Sequence, residues 1–398
     1  MAKTVIAMHL IFNIACKTAS ECLSECSSPG FLILGENVMY IVDQDYFIRS
    51  ILASSEEELT RVLQNVSRNY RQFSIPKNGG KREISAIDKE SALARLQANL
   101  ARNFLNKLPL PTPVVGFVPE KSYIDFLKPH IGKKYFLRID IHDFFGSVEE
   151  SQISLQLEEY FSESCYECVD FITSLCMLDG KLPQGAITSP TLSNIVFRRV
   201  DQRIMKYCQS FDSVYVENRR VSENIIYTRY ADDLLFSSDA FDFSKNLYFL
   251  GMIRRILKNE KFKVNEKKTR FGYKEITLSG YVLSRNIHLS RKKMYSINKV
   301  IHYFGKTDHY ERKKYRIKNT LFAGDWITGI NMLKLRDGQG NEKHFGSAAD
   351  VLNYLCGYRA FIISIIRGNP KTDNSIQQLQ RKVQKLELII DAVTAHST

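Results

Sequence analysis

The stretch Thr228-Arg229-Tyr230-Ala231-Asp232-Asp233-Leu234-Leu235-Phe236-Ser237 decides the reading of this chain. Two adjacent acids sit between apolar flanks that read as two strands meeting near Tyr230. Neighbouring side chains on a strand point to opposite faces, so Asp232 and Asp233 can serve one site only at a turn or a strand end. A hairpin through Tyr230–Asp233 supplies that turn. Acids beside so much apolar sequence are costly unless they are paired or hold a metal. A further acid ends an apolar strand in Phe136-Leu137-Arg138-Ile139-Asp140-Ile141-His142-Asp143-Phe144-Phe145. Asp140, Asp232 and Asp233 together form a set of oxygen ligands that suits Mg2+. Two such ions about 4 Å apart activate an attacking hydroxyl and steady a leaving oxygen. The competing reading makes these acids turn residues paired with Arg138 or Arg229.

The rest of the composition fits a globular chain with an anionic partner. The 398 residues carry 56 Lys+Arg against 43 Asp+Glu, a net charge of +13. With 44% hydrophobic and 25% charged residues, disordered, collagen-like and coiled-coil chains are excluded. The excess of basic residues points to nucleic acid or an anionic membrane surface. No run reaches the roughly 18 uninterrupted apolar residues of a membrane span. The apolar run Val5–Cys16 reads as a buried element, because His9 and Asn13 interrupt it as a signal core. The eight cysteines are scattered, so buried reduced thiols are preferred over a zinc site built from Cys22, Cys26, Cys165 and Cys168. That usage implies a cytoplasmic protein.

Coarse patterning mixes helices with antiparallel strands and gives an α+β fold class. Helices are expected over Ser54–Val66, Ser91–Leu108 and Asn246–Lys258. A hairpin is expected over Phe73–Ala86, around Asn78-Gly79-Gly80. Lys134–Ile141 reads as a strand, and Ile276–Leu289 as strands broken at Gly280. From Arg291 onward the pattern is helical and basic. Ten Lys/Arg lie between Arg291 and Lys318, interleaved with Tyr295, Tyr303, Phe304, Tyr310 and Tyr315. Such interleaving suits a phosphate track with stacking surfaces. A last helix is expected from Asn374. Its stripe Ile376, Leu379, Val383, Leu386 and Ile390 packs on its own domain or, as a short coiled coil, on a second copy.

A third segment, Leu182-Pro183-Gln184-Gly185-Ala186-Ile187-Thr188-Ser189-Pro190 through Asn194, completes an ordered set. With the two acid motifs in this order, the chain resembles a reverse transcriptase over roughly residues 60 to 370. Ile139–Phe145 resembles that family's motif A, Leu182–Asn194 its motif B, and Tyr230–Asp233 its motif C. Within the family the chain looks most similar to bacterial retron and phage-defence enzymes. It departs from the retron pattern at two places. Only His130 remains of the usual Asn-Ala-x-x-His, and Leu278-Ser279-Gly280 stands where Val-Thr-Gly is usual. In retrons both places are linked to RNA handling.

The resemblance implies a right-hand polymerase with an antiparallel palm sheet and a helical basic thumb. Residues 1–50 would form an N-terminal extension, 51–135 the fingers, 136–288 the palm with a fingers insertion near 150–180, and 289–398 the thumb. It implies Asp140, Asp232 and Asp233 as ligands of two Mg2+ ions, with Mn2+ as a substitute. Lys268, with Lys267 as a rival, would protonate the leaving pyrophosphate. Lys77 and Arg82 would meet the incoming triphosphate, and Gln184 with Gly185 would contact the nucleotide and template. Phe145 would act as a sugar gate, and Leu278–Tyr281 as a primer grip. The implied partners are dNTPs, a noncoding RNA template, the DNA product or its RNA–DNA hybrid, an effector protein and a second copy of the chain, but no membrane. The same active site would also serve template-independent or protein-primed synthesis. A non-catalytic RNA-binding scaffold is the reading from another class.

Overall fold

The computed structural model describes residues 31–34, 38–77, 80–211, 214–216, 219–221, 224–308, 314–336, 342–369 and 374–396. Cys16, Cys22, Cys26 and the Val5–Cys16 run lie outside the described residues. The described residues begin with a hairpin, β1 (Phe31–Leu34) and β2 (Val38–Ile41). The first expected helix covers Glu56–Leu63, with Ser55 capping its N-terminus onto Glu58. The expected hairpin forms from β3 (Tyr70–Lys77) and β4 (Gly80–Ile87), eight residues each. The helix expected after it covers Ala92–Asn103, again with a serine cap, Ser91. Helical geometry then tightens into a 3-10 turn, Leu105–Lys107.

The centre of the molecule is an antiparallel sheet in the order β10-β5-β9-β8. Its strands are β5 (Tyr135–His142), β8 (Ile226–Tyr230), β9 (Asp233–Ser238) and the two-residue β10 (Lys263–Val264). A short hairpin, β6 (Val214–Val216) with β7 (Arg219–Val221), precedes β8. A further strand, β11 (Arg270–Tyr273), also pairs with β5. The period-2 alternation of β5 sorts its side chains between two apolar cores. Leu137, Ile139 and Ile141 enter one core, with Leu234 and Phe236 of β9. Phe136 enters the other, with Leu235. Both faces of the sheet are covered, so these strands read as nearly continuous apolar runs.

The first core is closed by three helices, Glu150–Leu157, Glu167–Cys176 and the 21-residue Ser189–Gln209. Cys165, Cys168, Cys176 and Cys208 are buried there as thiols. Burial pushes the Cys168 and Cys176 thiols up to about 12. Among the described residues no group of three His, Cys, Asp or Glu side chains is gathered as a metal cage.

The second core gathers the three-stranded meander β12 (Ile276–Leu278), β13 (Tyr281–Leu283) and β14 (Ile287–Leu289) with the C-terminal helices Arg291–Phe304, Ala348–Gly368 and Asn374–Ala395. The expected helical run after Arg291 is interrupted by a hairpin, β15 (Gly305–Asp308) with β16 (Lys314–Ile317). Ala348–Gly368 is long and apolar enough to cross a membrane by length and composition. Here its Val351, Leu355, Ile362 and Ile365 are buried in the second core. The last helix starts at Asn374, as its pattern predicts. Ile376, Leu379, Val383 and Leu386 are buried within the same core. The stripe therefore packs on its own domain. Ile389 is fully buried, and Ile390 only partly so.

Candidate active site

Two antiparallel ladders put the acids together. Asp140 of β5 stands directly opposite Asp233 of β9, and Tyr230 of β8 also pairs with Asp233. Ala231 and Asp232 form the two-residue turn between them. Asp233 thus shares a sheet face with Asp140, and Asp232 reaches the site from the turn, as the alternation argument requires. Ala231 holds φ at +55°, which costs a residue with a Cβ about 1–2 kcal/mol.

The turn is clamped from three sides. The Asp232 carbonyl accepts from Ile141 N–H at 2.9 Å. The Ala231 carbonyl accepts from Arg229 Nη1 at 3.2 Å. On the outer edge, Val114 runs parallel beside Arg229, with Val115 N–H donating to the Arg229 carbonyl at 2.9 Å. Gly116 lies so close that a Cβ there would meet the Ala231 amide nitrogen.

Arg229 itself is fully buried and clasps Asp201 of the Ser189–Gln209 helix. Nε reaches Oδ1 at 2.9 Å and Nη2 reaches Oδ2 at 2.8 Å. Its Nη1 also donates to Asn194 Oδ1 at 2.9 Å, and Asn194 Nδ2 donates to the Gly116 carbonyl at 2.8 Å. One buried network therefore ties the Leu182–Asn194 segment to the Tyr230–Asp233 hairpin. Asp201 and the Pro113–Gly116 edge were not anticipated from the sequence.

The carboxylates differ in surroundings. Asp140 is 2% exposed; its Oδ1 accepts from Asn265 Nδ2 at 2.9 Å and its Oδ2 from Lys268 Nζ at 2.7 Å. Lys267 is exposed, so of the two lysines Lys268 is the one brought to Asp140. Asp233 Oδ1 accepts from Arg138 Nε at 2.9 Å and Nη2 at 2.7 Å. Burial pushes the Asp233 carboxyl up to about 6; the Arg138 charge opposes this, while Asp232 and Asp140 add to it. The reading that paired an acid with Arg138 thus holds for Asp233, whereas Arg229 serves Asp201 instead.

Asp140 and Asp232 line a cavity of about 650 Å3, together with Phe145, Gln184, Asn265 and Lys268. Its far wall comes from β3 and β4, through Gln72, Glu83 and Ser85. Those strands are pinned to the loop before the long helix, because Ser85 N–H donates to the Gln184 carbonyl at 3.0 Å. Gly185 makes that approach possible. Its φ is +132°, and a Cβ would sit 2.7 Å from the Ser85 carbonyl oxygen. Lys77 and Arg82 lie in the ladder of the same hairpin, Lys77 opposite Gly80 and Arg82 opposite Ile75. Their side chains fall outside the described residues.

Two carboxylates on the cavity wall and a third that faces Asp140 across the ladder supply oxygen donors, though the three are not gathered round one point. That chemistry fits hard divalent cations. Asn265 escaped the sequence reading, although it lies only three residues before Lys268.

His130 is fully buried. Its ring bridges Thr228 Oγ1 at 2.8 Å and Ser237 Oγ at 2.6 Å. The Thr228 hydroxyl donates to the Phe126 carbonyl at 2.9 Å. Thr228 must then accept from Nε2–H, leaving Nδ1 to accept from Ser237. Leu278–Tyr281, expected as a primer grip, contains the tight β12–β13 turn, with Ser279 at φ +48° and Gly280 at +91°.

Comparison with known proteins agrees with this layout. The family model for reverse transcriptase (RNA-dependent DNA polymerase) matches residues 69–283. The chain is 29% identical to the retron Ec86 reverse transcriptase of Escherichia coli over 263 residues, covering 65% of this chain and 77% of that one. It is 28% identical to the retron Mx65 reverse transcriptase of Myxococcus xanthus over 282 residues, covering 64% and 60%. It is also 28% identical to the retron Ec73 reverse transcriptase of Escherichia coli over 228 residues, covering 54% and 68%. The matched span contains all three carboxylates, the Pro-Gln-Gly loop and the β3–β4 hairpin. The chain belongs to the reverse transcriptase family, as an RNA-directed DNA polymerase similar to bacterial retron enzymes.

Proposed function

We propose that this polymerase copies a noncoding RNA into cDNA at Asp140, Asp232 and Asp233, in bacterial antiphage defence. The observation that carries the reading is the Asp140–Asp233 cross-strand pair, with Asp232 in the adjoining turn, opening on a cavity walled by Phe145 and Gln184. Two Mg2+ ions held by the three carboxylates, or Mn2+ in their place, would supply activation of the primer 3′-hydroxyl and charge neutralisation at the pyrophosphate.

The chain's own residues do the rest. Asn265 and Lys268 orient the Asp140 carboxylate through one hydrogen bond to each oxygen. Lys268 Nζ holds a proton at the cavity wall and donates it to the leaving pyrophosphate. Arg138 fixes Asp233 by a two-nitrogen clasp. Phe145 excludes a 2′-hydroxyl, and Gln184 and Gly185 set the nucleotide against the template. Lys77 and Arg82 meet the triphosphate, Arg82 through a bidentate fork.

In this reading residues 51–135 are fingers, 136–288 palm with a fingers insertion near 150–180, 289–398 thumb and 1–50 an extension. The enzyme works in the cytoplasm, with an effector protein as partner.

The test is to purify the protein from its native operon, with an Asp232→Asn, Asp233→Asn variant beside it, and to sequence all bound nucleic acid. A discrete RNA with complementary cDNA, absent from the variant, is expected. DNA without a complementary RNA would mean untemplated or protein-primed synthesis. RNA alone in both samples would leave only a scaffold.

A further inference from the structure

Phe117 is a large apolar side chain left partly in solvent beside the acid hairpin. It is 38% exposed, and its φ is +62°, a backbone conformation that residues with a Cβ rarely adopt. The surroundings impose that conformation. Gly116 N–H donates to the Arg229 carbonyl, its carbonyl accepts from Asn194, and Val118 N–H closes back onto the Val115 carbonyl at 3.4 Å. The ring is thereby delivered between two others, 6.0 Å from Phe145 and 6.4 Å from Tyr230. Exposed side chains on imposed backbone strain cluster at working sites.

Phe145 is partly buried against the first core and meets two neighbouring rings. Phe144, 4% exposed, packs edge-on at 5.6 Å, and Phe117 covers the side toward Tyr230. A gate excludes a 2′-hydroxyl only while its ring cannot turn away, since sub-ångström relaxation relieves a steric clash. Without Phe117, Phe145 loses one of the two rings packed on it.

We propose that Phe117 is a specificity-determining positioning residue, which locks Phe145 against the sugar and so sets discrimination between deoxy- and ribonucleotides. The inference rests on the sugar-gate reading of Phe145. Phe117 does not line the cavity, so it acts through Phe145 and leaves the carboxylates untouched.

The experiment is single-nucleotide incorporation by the full-length enzyme on a primed template, comparing dNTP with rNTP. Phe117→Ala, Phe117→Leu, Phe145→Ala and the Phe117→Ala, Phe145→Ala double variant are measured beside wild type, each with a melting curve. Phe117→Ala should lower the dNTP/rNTP ratio of kcat/KM about fivefold, the size of one aromatic contact, through faster rNTP use. Its kcat with dNTP should stay within about twofold, because no reacting group changes. Phe117→Leu should recover part of the ratio, and the double variant should match Phe145→Ala, since the residues act as one unit. An unchanged ratio in Phe117→Ala beside a lowered one in Phe145→Ala overturns this inference alone. An unchanged ratio in Phe145→Ala overturns the gate reading and the inference with it. If Phe117→Ala and Phe117→Leu both lose dNTP incorporation while keeping the wild-type ratio, Phe117 is structural and the inference is wrong.

Discussion

His130 shows at the residue scale how a sequence signal and its meaning can part. The histidine was legible as the remnant of a retron motif, but its role was not, because burial and partners are three-dimensional facts. It staples β8 to β9 beneath the acid hairpin as a neutral ring. Burial, helped by the Lys133 charge, lowers its pKa from 6.5 to about 3. In that window the unfolded chain takes up a proton that the native ring refuses, so stability is present above pH 6.5 and is lost as pH falls toward 3. The loss should run at up to about 1.4 kcal/mol per pH unit. Urea titrations at pH 7.5, 6 and 5 should show it, and His130→Gln should flatten the slope while lowering stability at pH 7.5. An identical slope in the variant would assign the pH dependence elsewhere. Gly185 is the opposite case: the Pro-Gln-Gly motif announced it, and the close Ser85 carbonyl supplies the reason.

Among elements, the strands of the acid motifs and the capped helices were legible because their signals are local. Ser55, Ser91 and Asn246 each cap the helix that the pattern placed after them. The β15–β16 hairpin was missed inside a run of basic and aromatic residues, where charge masks periodicity. The parallel edge at Val114 was invisible for a different reason, since it depends on a strand more than a hundred residues later. The Arg229–Asp201 clasp belongs to this scale as well, because it joins the long helix to the hairpin. Both side chains are fully buried, and removing one partner strands the other charge. Arg229→Ala should therefore cost about 3–5 kcal/mol in equilibrium unfolding. A loss below about 1 kcal/mol would mean the clasp contributes little.

For the whole molecule, the net charge of +13 was a usable signal for an anionic partner, and it yields a quantitative expectation. If the basic tracts neutralise about six phosphates, affinity for a primed RNA template should fall about a thousandfold between 50 and 200 mM salt. Fluorescence anisotropy across that range reads it, and a flat response would exclude the basic surface from binding. The arrangement of cores was not legible, because one sheet serves two cores and hides the alternation that normally distinguishes inside from outside.

That shared sheet has a cost at birth. β5 emerges from the ribosome long before its central partner: Arg138 and Asp233 are 95 residues apart. Until β9 and then β11 follow, β5 must wait with both edges open, its apolar residues without the sheet that will bury them. Long-range pairing of this kind is slow and exposes strand edges to other chains. A nascent chain halted before residue 224 should therefore be a client for chaperones, and the polymerase centre cannot close until Lys268 has followed.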